Sequence, residues 1–161
     1  RKPMKTLIVY YSYEGNCRFI AGQLKAALDA DVLELETLDG KKRKGLAKYF
    51  WGGKQVFSRA EPELKPFSVD VNAYDLIVLG CPVWAASPAP ALCGFISRAG
   101  IRDKRVALFV CHGGGKGDVF GKLRKRLAGN TFAGEKDFRN PLRGDQDGIA
   151  AAVREWAKTL I

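Results

Sequence analysis

A chain of 161 residues that is 47% hydrophobic and 11% aromatic has the length of one domain and enough apolar side chains for a core, which excludes a disordered protein. Its 27 Lys and Arg against 17 Asp and Glu give a formal charge of +10, a surface that attracts anionic ligands or partners. No apolar run approaches the ~20 residues that span a bilayer and no signal-peptide core opens the chain, so the expectation is a cytoplasmic protein without a membrane span.

In chain order, Lys5–Tyr11 (KTLIVYY) is an apolar, β-branched and aromatic run of the length of one buried strand. Gly15–Asp29 then spaces Phe19, Ile20, Leu24, Ala27 and Leu28 as a helix does. Asp31–Glu36 alternates acidic and apolar residues and reads as a second strand, and Asp75–Gly80 (DLIVLG) as a third, fully buried one. A helix is expected from near Ser87, with Pro88 and Pro90 in its first turn and a stop at Gly100. Arg105–Cys111 (RVALFVC) is the fourth strand, followed by a helix over Asp118–Leu127 closed by Gly129. Thr131–Phe138 is a weaker fifth strand, and Gly144–Leu160 a last helix with Ile149, Val153, Trp156 and Leu160 on one face. Strands alternating with helices through short connections give a parallel sheet covered on both sides.

The segment 39–66 breaks the alternation. It is basic, with Lys41, Lys42, Arg43, Lys44, Lys48, Lys54 and Arg59, and carries Tyr49-Phe50-Trp51-Gly52-Gly53; it reads as an added helix or structured excursion within a single domain spanning 1–161. Cys17, Cys81, Cys93 and Cys111 show no C-x-x-C spacing and lie in or beside apolar segments. They are expected as buried, reduced thiols, and with a single histidine no zinc site is expected.

Three loops carry the chemistry. The first strand runs through Ser12-Tyr13-Glu14-Gly15-Asn16-Cys17 straight into a helix. Such a turn aims free backbone N–H groups at one point, on the positive end of the helix dipole, where Ser12 and Asn16 add donors. Such a nest can hold a phosphate dianion without any cation, although strand, Ser, Gly and helix alone fit an ordinary βα turn with Ser and Asn as caps equally well. From Ile8 to Leu24 the sequence IVYYSYEGNCRFIAGQL resembles the flavodoxin signature, with Ser12, Gly15, Ala21 and Leu24 in register and Cys17 standing where the family has threonine. A thiol is the weaker donor. After the third strand, Cys81-Pro82-Val83-Trp84-Ala85-Ala86-Ser87-Pro88 resembles the P-V-W-A-G-x-x-x-P loop that lines the isoalloxazine ring in flavodoxin-like proteins. After the fourth come Cys111, His112, Gly113, Gly114 and Gly115, whose glycines permit close approach of a flat ligand.

The resemblance implies a flavodoxin-like three-layer α/β/α sandwich with a five-stranded parallel sheet of order 2-1-3-4-5. It implies FMN held by Ser12, Tyr13, Glu14, Gly15, Asn16 and Cys17 at the phosphate, by Pro82, Val83, Trp84 and Ala85 at the ring, and by Cys111, His112, Gly113, Gly114 and Gly115 at its pyrimidine side. No catalytic side chain is assigned. The function expected first is electron transfer through non-covalently bound FMN. The alternative is an NAD(P)H-dependent FMN reductase acting on quinones or similar acceptors, and the remote one a non-enzymatic basic binding module for nucleic acid or acidic membrane. Partners are accordingly redox proteins with acidic surfaces, or NAD(P)H and a small acceptor. The second loop has no glycine at Ala85 or Ala86, so positive φ there is expected to cost about 1 kcal/mol or more.

Overall fold

The computed structural model describes residues 4–37 and 64–161. The basic excursion expected over 39–66 lies outside the described residues except for its last three. Among those, Leu64 is buried and bridges Thr37 in antiparallel fashion.

The elements are β1 (Thr6–Tyr11), α1 (Asn16–Leu28), β2 (Asp31–Leu35), a 3-10 turn (Val71–Ala73), β3 (Leu76–Trp84), β4 (Ser87–Pro88), α2 (Pro90–Ala99), β5 (Arg105–His112), α3 (Val119–Arg126), β6 (Thr131–Arg139) and α4 (Gln146–Leu160). The main sheet runs β2-β1-β3-β5-β6, every pair parallel, with the two-residue β4 folded back antiparallel onto the end of β3. Without β4 this is the expected order 2-1-3-4-5.

Period-two alternation splits the central strands between two cores. Leu7 and Val9 of β1, Ile77 and Leu79 of β3, and Val106, Leu108 and Val110 of β5 pack against Leu92 and Phe95 of α2 and Val119 and Leu123 of α3. Ile8, Val78, Ala107 and Phe109 point the other way, onto Ile20 and Leu24 of α1 and Val153, Ala157 and Leu160 of α4. Burial on both faces is why these strands read as unbroken apolar runs.

Two expectations are corrected beside the cleft. The third strand does not stop at Gly80: Cys81 and Pro82 continue the pairing with Val110 and Cys111, and Val83 and Trp84 then pair with Pro88 and Ser87. The helix expected near Ser87 accordingly starts only at Pro90, with Ala89 as its cap. Proline at the first position suits a helix because its missing N–H has no partner there in any case. Gly100 closes that helix at φ +64, as expected.

Candidate functional site

The loops leaving the carboxyl ends of β1, β3 and β5 enclose a cleft of about 450 Å³, within the range usual for cofactor sites. Ser12, Tyr13, Glu14, Asn16 and Cys17 line it from the first loop, Pro82, Val83, Trp84, Ala85 and Ala86 from the second, and Cys111, His112, Gly113, Gly114 and Gly115 from the third. Gly15 lies behind the lining and turns the chain at φ +103; a Cβ there would stand 3.3 Å from Leu142. Asn140 and Arg143, from the loop between β6 and α4, complete the wall. Neither of these two, nor Ala86, is among the FMN contacts that the resemblance implies.

The first loop is locked from within. The Ser12 hydroxyl oxygen accepts from the backbone N–H of Gly15 (3.1 Å) and of Arg18 (3.2 Å), and Phe19 N–H donates to Gly15 O (3.0 Å). Ser12 thus shapes the nest as an acceptor, while its own proton is left for a ligand. Asn16 and Cys17 begin α1, so their backbone N–H groups have no carbonyl one turn earlier to bind. The Asn16 side-chain oxygen accepts from Leu142 N–H (3.1 Å), which ties the β6–α4 loop to the start of α1 and brings its neighbour Arg143 to the cleft wall. Topology explains this reach: α4 lies beside α1 on one face of the sheet.

Cys17 is buried. Burial first, and then a hydrogen bond with the Cys111 thiol, push its own thiol well above the usual cysteine range. It is therefore a neutral packing group whose backbone, rather than its sulfur, serves the cleft. Cys17→Thr is expected to leave FMN affinity unchanged or to improve it, since a hydroxyl of similar size is the better donor. Titrating the flavin-free variant with FMN checks this, and a large loss of affinity would contradict it.

In the second loop Trp84 packs edge-on against Tyr11 (5.8 Å, 88°) and Tyr13 (5.6 Å, 80°), a favoured aromatic geometry that fixes its indole at the cleft wall. Ala85 and Ala86 join β3 to β4 with φ of +51° and +58°. Positive φ at both central residues is what a two-residue type I′ hairpin loop requires, and glycine or asparagine normally supplies it. The cost expected for positive φ in this stretch is therefore carried by the fold itself: two alanines adopt it, at roughly 1–2 kcal/mol each.

At the third loop His112 Nε2 lies 2.8 Å from Asp137 Oδ2, on the neighbouring strand β6, and His112 Nδ1 is buried without a hydrogen-bond partner. Asn140 N–H donates to His112 O (2.9 Å), and Arg139 Nε donates to Gly113 O (3.2 Å). The hydrogen bond from His112, aided by Lys116, holds the Asp137 carboxyl below the usual aspartate range. A carboxyl depressed in the folded state contributes stability that is present above the unfolded pKa, near 4, and is lost as pH falls through the lower folded value. Asp137→Asn is therefore expected to flatten the acid limb of the stability curve below about pH 4. Chemical unfolding as a function of pH measures this; an acid limb identical to that of the wild type would contradict the pairing.

The arrangement suits FMN. The N–H groups at a helix start would suit a phosphate, the apolar and aromatic wall a flat ring, and the glycine-rich strand end the close approach of backbone to the ring's polar edge. A doubly wound sheet with these loops at its point of strand reversal defines a flavodoxin-like flavoprotein. The chain belongs to the NADPH-dependent FMN reductase family, whose model matches residues 4–131, and it is an FMN-binding protein of that class.

Solved structures agree on the fold. A flavoprotein from Lactobacillus acidophilus, crystallised in complex with FMN, superposes with a TM-score of 0.74 at 23% identity, over 86% of this chain and 96% of that one. A flavoprotein from Bacteroides uniformis gives 0.78 at 20% identity, over 98% and 99% of the two chains. The two-electron reduced flavodoxin of Megasphaera elsdenii gives 0.57 at 19% identity, over 96% and 97%. No helix among the described residues is long and apolar enough to cross a membrane.

Proposed function

We propose that the chain is an NAD(P)H-dependent flavin reductase that holds FMN non-covalently in the cleft and passes electrons from the nicotinamide to a quinone or similar small acceptor. The observation that carries this reading is the match of the NADPH-dependent FMN reductase family over a stretch that supplies all three loops of the cleft. Bound there, FMN would supply hydride and electron-transfer chemistry that no side chain of the cleft provides. The chain supplies position and charge. Asn16 and Cys17 offer backbone N–H groups and Ser12 its hydroxyl proton to the phosphate, with Arg143 beside them. Trp84, fixed by Tyr11 and Tyr13, bounds the ring, and His112, held by Asp137, stands at the third loop. The formal charge of +10 favours encounter with a polyanionic dinucleotide and disfavours docking on a basic partner.

A carrier of electrons between larger proteins is the second reading, favoured by the likeness of the whole chain to flavodoxins. Its partners would then present acidic surfaces. Anaerobic mixing of the FMN-loaded protein with NADPH separates the two. The reductase reading predicts loss of the yellow flavin absorbance at a rate that saturates with NADPH. A flavin that NADPH leaves oxidised, while a one-electron donor protein reduces it, would overturn the reductase in favour of the carrier.

A further inference from the structure

We propose that Lys122 is a positioning residue for the cofactor, a clasp that holds the Ala85–Ala86 turn in its left-handed conformation against the flavin; this rests on the reading that FMN occupies the cleft. The turn lines the cleft and is held at φ +51 and +58 by residues that do not favour it. A conformation of this kind persists only when its surroundings over-determine it.

Two contacts from outside the turn do so, both from the segment entering and forming α3. Lys122 Nζ donates to Ala86 O (3.2 Å) and to Ser87 Oγ (2.7 Å), thereby gripping the last residue of the turn and the first of β4. Gly117, at φ +53, lies so close to Ala86 that a Cβ on it would stand 2.6 Å from the Ala86 Cβ. The base of the clasp is rigid, because Val119 and Leu123 on either side of Lys122 are fully buried. Lys122 itself is exposed, so its loss removes the grip without opening the core. The ammonium is suited to this work. It carries three donors on a long stem and spans from a helix to a backbone carbonyl that the hairpin cannot pair internally.

The test uses the whole chain stripped of flavin. Lys122→Met is expected to weaken FMN about tenfold, equivalent to about 1.4 kcal/mol, and to weaken riboflavin by the same factor, since shape is lost rather than attraction for phosphate. Adding Ala86→Gly to Lys122→Met is expected to restore most of the affinity, because glycine takes positive φ without support. Hydrogen exchange over residues 83–88 in the flavin-free protein should quicken in Lys122→Met and slow again in the double variant. Wild-type affinity in Lys122→Met, a loss for FMN without one for riboflavin, or no rescue by Ala86→Gly would each overturn the clasp. A wild-type protein that takes no flavin would instead overturn the cofactor reading, and the exchange measurement alone would then decide the clasp: unchanged exchange in Lys122→Met refutes it, and the quickened and restored pattern supports it.

Discussion

Gly80→Ala is expected to be the most destabilising single-methyl change in the described fold. Gly80 of β3 pairs with Phe109 of β5, and a Cβ at position 80 would stand 2.0, 2.2 and 2.4 Å from three carbons of that ring. Phe109 is fully buried, so the ring moves only by pushing into the core beneath α1 and α4. Overpacking of this kind costs typically 1–3 kcal/mol and occasionally more. At about 2–4 °C per kcal/mol for a chain of this size, the melting temperature should drop by roughly 2–12 °C. Phe109→Leu combined with Gly80→Ala should recover part of the loss. Gly22→Ala provides the contrast: nothing lies within 4 Å of a Cβ there, inside α1, and helix propensity predicts a gain of up to about 1 kcal/mol. Thermal unfolding of the three variants decides; a Gly80→Ala protein as stable as the wild type would contradict the packing.

Ser12→Ala is expected to have the largest effect on cofactor binding. Its hydroxyl oxygen accepts two backbone N–H groups, and its proton is the group left to meet the phosphate. Losing one charge-assisted bond removes about 1–3 kcal/mol, or roughly five- to 150-fold in affinity, and the loosened loop adds to that. Ser12→Thr, which keeps the oxygen, should retain most of the binding. Titration of the flavin-free variants, followed by quenching of flavin fluorescence, gives both affinities. An alanine variant that binds FMN as the wild type does would show that the first loop is not the phosphate nest.

What was legible in the sequence follows from where the forces are local. β1, β3 and β5 are buried on both faces, so each reads as an uninterrupted apolar run, and the loops after them carry residues whose spacing marks a βα turn or a glycine-rich approach. The extension of β3 through Pro82–Trp84 was not legible, because a proline in a pairing strand reads as a stop. Here Pro82 pairs only across to β5, where its missing N–H is tolerated. The left-handed alanines were invisible for a related reason: nothing within the Ala85–Ala86 dipeptide favours positive φ, and the groups that enforce it come from Gly117 and Lys122, some 30 residues away. Asp137 beside His112, and Asn140 and Arg143 at the cleft, depend on the register of β6 against β5 and on α4 lying next to α1. A charged residue on an edge strand gives no hint of its partner until that register is known. The signal that reaches Arg143 is topological: the last βα loop must cross toward α1 once α1 and α4 share a face of the sheet.

FMN bound in this cleft is expected to sit with its phosphate in the nest at the start of α1. Calorimetric titration of the flavin-free protein with FMN and, separately, with riboflavin tests it most directly. One FMN per chain is expected, with riboflavin weaker by about two orders of magnitude or more, as follows from losing several charge-assisted hydrogen bonds. Equal affinity for the two flavins, or no binding of FMN, would contradict it.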